Sequence, residues 1–139
     1  MFRVNESLGF LLGTLAKKTG ARFMQLMQAE GLNIGLSGWI VLSRLWEEDG
    51  LSQQEISDRS GVAKPNISIY IDNLEKGDYV VRVDDPADRR NYKIYMTQKA
   101  KKLKDKCQAL AQQSNDETMG TLTNTEKETL LKLLQRMNT

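Results

Sequence analysis

Near Gly77 the apolar side chains stop recurring at helical spacing and begin to alternate, and no other feature constrains the fold of this chain as strongly. Upstream, Leu8, Leu11, Leu12, Leu15, Phe23, Leu26 and Met27 predict one long amphipathic helix over about Ser7–Glu30. Ser37 can cap a second helix that carries Trp39, Ile40, Leu42, Leu45 and Trp46 and ends near Asp49-Gly50. Ser52-Gln53-Gln54-Glu55 is a capping box, so a short third helix follows, with Ile56 inward, and stops at Ser60-Gly61. A fourth helix starts near Pro65, because proline suits a first turn, and runs to about Lys76.

Downstream of Gly77, Tyr79–Val83 and Tyr92–Met96 read as strands, joined by the polar stretch Asp84–Asn91. The pair is a β-hairpin with a protruding basic tip. Thr97 can cap a fifth helix, lysine-rich at first, through Leu103, Cys107, Leu110 and Ala111. A second capping box, Thr123-Asn124-Thr125-Glu126, opens a last helix with Leu130, Leu131, Leu133, Leu134 and Met137. The order predicts a mainly α protein with a small β-hairpin wing (α+β): a winged helix-turn-helix flanked by N- and C-terminal helices.

Composition removes most other classes. There is no histidine, which excludes imidazole bases, histidine-activated nucleophiles and nearly every catalytic zinc site. The one cysteine, Cys107, can form neither an intrachain disulfide nor a thiolate cluster, and its apolar neighbours at helical spacing favour a buried, inert thiol. No metal or other cofactor is expected. No pair of carboxylates sits on a cleft-like apolar background, so catalysis is not expected. With no membrane span of about 18–20 apolar residues and no secretory signal, the expected compartment is the cytosol.

Net charge is only +2, but its placement is uneven. Between Arg82 and Lys106, nine basic residues face four acidic ones, a net +5; the rest of the chain holds eleven against fourteen, a net −3. Such a concentration suits a phosphate-binding surface, or, for the Lys99–Lys106 run alone, a solvated helix face.

Read by face, the fourth helix buries Ile67, Tyr70, Ile71 and Leu74. The opposite side presents Pro65, Asn66, Ser68, Ile69, Asp72 and Asn73. Asn66 and Ser68 can bond base edges or phosphates. Ile69 can meet a thymine methyl in the major groove, or pack on a neighbouring helix. Lys64 and the free amides beside it suit a phosphate. At the hairpin tip an arginine can enter the minor groove, and Asp88 near Arg90 can hold that side chain extended.

These residues resemble the MarR family of bacterial winged-helix regulators over nearly the whole chain. Asp85-Pro86-Ala87-Asp88-Arg89-Arg90 running into Tyr92–Met96 and Thr97 is similar to the family's wing signature. Leu51–Ile56 with Gly61-Val62 is similar to its first helix-turn-helix element, and Lys64–Lys76 to its recognition helix. The resemblance implies one domain, 1–139, with a DNA-binding lobe over 36–97 and a helical dimerisation lobe made of 1–35 and 98–139. It implies a homodimeric regulator of transcription, most often a repressor, bound to a pseudo-palindromic operator in the bacterial cytoplasm and associated with the nucleoid when on DNA. It implies DNA contacts from Lys64, Pro65, Asn66, Ser68, Ile69, Asn73, Asp88, Arg89 and Arg90. It further implies a small aromatic or anionic effector between the lobes, for which Phe23, Met24 and Trp39 are candidate pocket residues.

The chain departs from the family pattern at Ile69 and Asn73, where basic residues are common, and at Asp78, where glycine is commoner. A less basic recognition helix leaves open a second reading, a winged-helix protein that works through protein contacts without reading DNA sequence.

Overall fold

The computed structural model describes the backbone of residues 1–139 and every side chain except that of Arg89. After a 3-10 turn at Val4–Glu6, α1 spans Leu8–Ala29, with the Ser7 hydroxyl accepting from the Phe10 amide. α2 is Gly35–Glu47, β1 Leu51–Ser52, α3 Gln53–Ser60 and α4 Lys64–Lys76. β2 is Val80–Asp85 and β3 Asp88–Met96; α5 (Gln98–Lys101), α6 (Lys104–Thr118) and α7 (Asn124–Met137) complete the chain.

Most elements lie where the sequence places them, and both capping boxes form, Ser52 with Glu55 and Thr123 with Glu126. Four details differ. Both strands of the hairpin run longer than read, so that the polar stretch Asp84–Asn91 is mostly strand and the turn is only Pro86-Ala87. α2 begins at Gly35 rather than after Ser37: the Ile34 carbonyl already accepts from the Gly38 amide, so Ser37 lies inside the first turn and caps nothing. The fifth helix is two, because the chain breaks at Lys102-Leu103 between α5 and α6. Leu51-Ser52, read from sequence as the entry to the third helix and not as a strand, also forms β1, pairing antiparallel with Ile94 and Lys93. A two-residue strand gives little periodic signal, so only its partner reveals it.

The sheet runs β1-β3-β2. Residues Val80 and Ile94 from it join Leu42 and Leu45 of α2, Ile56 of α3, and Ile67, Ile71 and Leu74 of α4 in one apolar core. Phe23 and Met27 from α1, and Ala100 and Cys107 from α5 and α6, belong to the same cluster. The core thus reaches across both ends of the expected 36–97 lobe. Gly38 is where α2 and α4 approach: a Cβ there would sit 3.0 Å from Ile34 and 3.2 Å from Leu74.

α1 pairs with α6 through Arg22 to Glu117 at 2.5 Å and Thr19 to Thr118 at 2.8 Å. The Arg22 bond lowers the Glu117 carboxyl below its ordinary range. None of the described residues forms a helix long and apolar enough to cross a membrane, and none form a group of three metal-ligating side chains.

Candidate nucleic-acid interface

The turn between α3 and α4 is held by its own side chains. Gly61 closes α3 in the left-handed region at φ 71°, which glycine adopts without penalty. The Ser57 hydroxyl donates to the Val62 carbonyl at 2.6 Å, and the Val62 amide to the Ser60 hydroxyl at 3.3 Å. Ala63 then leads into α4 with Pro65 in its first turn. At the far end, the Tyr79 amide donates to the Leu74 carbonyl and the Asp78 amide to Glu75. This places Asp78 in the left-handed position, at φ 64°, where helix ends favour glycine. The departure at Asp78 is therefore a real backbone feature, one that aspartate tolerates better than most residues.

α4 presents three stripes rather than two. Ile67, Ile71 and Leu74 are buried, with Tyr70 half-buried at their edge. Pro65, Asn66, Ile69 and Asn73 are exposed, Ile69 by 54%. Ile69 therefore does not pack on a neighbouring helix within the chain. The third stripe, Ser68, Asp72 and Glu75, lies at i, i+4 and i+7 and turns toward the hairpin. Ser68 and Asp72, read from sequence as part of the outer side, sit on this stripe.

Its partner is Arg82 on β2. Arg82 Nη1 donates to Asp72 Oδ1 at 2.6 Å and to Glu75 Oε1; Nη2 donates to the Ser68 carbonyl at 3.0 Å and to its hydroxyl at 3.4 Å. Sequence reasoning counted Arg82 with the phosphate-binding charge and missed this engagement. The acidic i, i+4, i+7 stripe ahead of a strand arginine was the available signal.

The hairpin turns through Pro86-Ala87, with Asp85 opposite Asp88 and an irregularity at Asp84/Asp85. Two carboxylates order the tip. Asp85 Oδ1 accepts from the Ala87 amide at 3.0 Å, and Asp88 Oδ1 from the Arg90 amide at 2.9 Å. Asp88 Oδ2 accepts from Asn91 Nδ2 at 3.1 Å. The expected Asp88 grip on the Arg90 guanidinium is thus corrected: Asp88 holds the backbone of Arg90 and the amide of Asn91. A short carboxylate two residues back reaches a backbone N–H more readily than the end of a long side chain. Arg90 itself is exposed and, among the described residues, has no acidic partner. The side chain of Arg89, expected to contact DNA, lies outside the described residues.

The run of positive charge does not form one surface. From Arg90 to Met96 the chain stays extended over six residue steps, about 20 Å, before it reaches Lys99. Lys99 Nζ donates to the Gly77 carbonyl at 2.7 Å and lies 4.2 Å over the Tyr79 ring, and Lys106 pairs with Glu30 at 2.7 Å. With Arg82 also engaged, Arg90 is left at the start of β3 with no acidic partner among the described residues, and Lys93 lies half-buried farther along the same strand.

Of the candidate pocket residues, Phe23 is buried edge-on to Trp39, with ring centroids 4.9 Å apart. Both line a cavity of about 180 Å³ between α1, α2 and α6, together with Leu36, Ala111 and Ser114. Met24 packs on the core and does not line it. Cys107 is fully buried, and burial pushes its thiol up, against the pull of Lys106.

Residues 36–92 match the MarR family model. Over 72 residues the chain is 36% identical to the HTH-type transcriptional regulator TtmR of Methylorubrum extorquens, a stretch covering 52% of this chain and 37% of that protein. The chain therefore spans well under half the length of that relative. A MarR transcriptional regulator from Methanosarcina mazei superposes with a TM-score of 0.86 at 25% identity, over 94% of this chain and 92% of the other. The fold is also that of the transcriptional repressor CouR bound to a 23-mer DNA duplex, with a TM-score of 0.85 at 23% identity over 100% and 99% of the two chains. The matched segment spans α2 through most of β3 and the helices outside it superpose as well, so residues 36–92 carry a MarR family domain and the chain has the winged helix-turn-helix fold of a MarR transcriptional regulator.

Proposed function

We propose that the chain regulates transcription, most simply as a repressor, by binding double-stranded DNA as a homodimer and reading its sequence. One observation carries this reading. The outer stripe of α4, Pro65, Asn66, Ile69 and Asn73, is exposed, and the hairpin beside it carries at the start of β3 an exposed Arg90 that has no acidic partner among the described residues. A helix so presented fits the major groove, and a narrow basic tip fits the adjacent minor groove, where the potential is most negative. Lys64 and the first amides of α4 would take a phosphate, and Asp88 would act by ordering the tip rather than by touching DNA. Arg89 is proposed as a further contact of the same tip. CouR, which shares the fold, is a transcriptional repressor solved bound to a 23-mer DNA duplex, and this supports a DNA-binding role.

Dimerisation is supported by apolar surface left uncovered within the chain. Leu8, Leu11, Leu12 and Leu15 on α1 are exposed, no residue of α7 is buried, and Leu131 and Met137 are exposed by 49% and 57%. Residues 1–35 and 98–139 would form the dimer lobe and 36–97 the DNA lobe. The cavity beside Phe23 and Trp39 is the proposed place for a small aromatic or anionic effector, and the protein would act in the cytoplasm. It would act by binding, not by catalysis.

The test is selection of duplexes by the purified protein from a random-sequence pool, followed by footprinting. A twofold dimer requires two protected half-sites about 10 bp apart, centre to centre. No enrichment, or one asymmetric protected half-site, would overturn the reading.

A further inference from the structure

We infer that Arg82 is a positioning residue of the DNA-binding surface: it locks the hairpin to α4 and does so without touching DNA. The inference rests on the DNA-binding reading above. β2 alternates, so the face that buries Val80 against the core also carries Arg82 toward α4, while Val81 and Val83 point away and are exposed. There the guanidinium meets the Ser68, Asp72 and Glu75 stripe and is only 17% exposed. Both terminal nitrogens are committed, one to two carboxylates and the other to the Ser68 backbone and hydroxyl.

Two consequences follow from this chemistry. One guanidinium between two carboxylates forms a cluster of net negative charge, which repels phosphate. A role in attracting DNA is therefore excluded by its own partners. The planar fork, bonded at both ends, also fixes the angle between β2 and α4 as a single lysine ammonium cannot. The exposed stripe of α4 and the Arg90 tip must reach two grooves at once. The lock supplies their relative placement before DNA arrives, and so lowers the ordering cost of binding.

The experiment compares full-length Arg82→Ala, Arg82→Lys and the double variant Asp72→Asn/Glu75→Gln with the parent. First, amide hydrogen exchange is followed in the DNA-free protein. The amides of residues 83–92 should exchange about tenfold faster in Arg82→Ala and in the double variant, with α2 unchanged, as for local opening. Second, affinity is measured across a salt series for a duplex the parent selects from a random pool. Arg82→Ala and the double variant should each bind about tenfold more weakly at an unchanged log–log salt slope, with Arg82→Lys between them and the parent.

The double variant is decisive, because charge alone predicts the opposite sign: deleting two carboxylates per protomer beside DNA should tighten binding. Tighter binding of that variant would overturn the inference. So would a slope flattened by about two per dimer in Arg82→Ala, the signature of a lost phosphate contact on each protomer. Unchanged hairpin exchange in both variants would overturn it as well. If the parent selects no duplex, the DNA-binding reading fails, and the exchange data still decide whether Arg82 locks the hairpin.

Discussion

Two regions of this chain, both supplied with large aliphatic residues, treat them in opposite ways. From the second half of α1 through β3, the large aliphatic side chains converge: Met27, Val41, Leu42, Ile56, Ile67, Ile71 and Ile94 are wholly buried. In the first half of α1 and in α7, Leu8, Leu11, Leu12, Leu15, Leu131 and Leu133 are exposed, although the helices are as regular and as well capped. A hydrophobic stripe therefore announces that burial is needed, not that the same chain provides it. Within α4 the contrast recurs at one turn's scale, since Ile71 is wholly buried and Ile69, two residues earlier, is exposed.

Deletions of the same kind should separate these regions. Ile71→Ala opens a cavity in the filled region and should cost about 2–5 kcal/mol of stability, seen as a large fall in melting temperature. A loss under about 1 kcal/mol would mean the core there is looser than its burial indicates. Leu131→Ala should cost about 2 kcal/mol per protomer, but in association rather than in protomer packing. Sedimentation equilibrium should show a weakened dimer, and a dimer unaffected by the change would place the interface elsewhere.

Arg90→Ala tests the tip. Folding stability should stay within about ±0.5 kcal/mol, since the side chain is exposed. DNA binding should weaken and the salt slope flatten by about two per dimer. The smallest effect belongs to Ile69→Ala, which should cost about 1 kcal/mol at one base pair of each half-site. Its melting temperature and salt slope should match the parent, and a melting loss as large as that of Ile71→Ala would move Ile69 into the core.

The sequence was most legible where the signal is local. Both capping boxes, the proline entry to α4 and the alternation in β2 and β3 are short-range chemistry, and each element formed there, although β2 and β3 extend into the polar stretch read as their connection. The buried stripe of α4 was legible for the same reason, since helical spacing alone puts Ile67, Ile71 and Leu74 together. The exposure of Ile69 was only half legible, because periodicity cannot say whether a neighbouring element covers an apolar residue.

Tertiary structure decided how the functional face is divided. Ser68 and Asp72 leave the outer face because β2 folds back beside them, bringing Arg82 across 14 and 10 positions of chain. The charge that clusters in sequence from Arg82 to Lys106 is dispersed because an extended strand carries its ends far apart, and because Arg82, Lys99 and Lys106 find partners on other elements. Local sequence determines which helices and strands form, since caps, prolines and periodicity act within a few residues. Which side chains remain available to a partner depends on what packs beside them, and only the folded chain sets that.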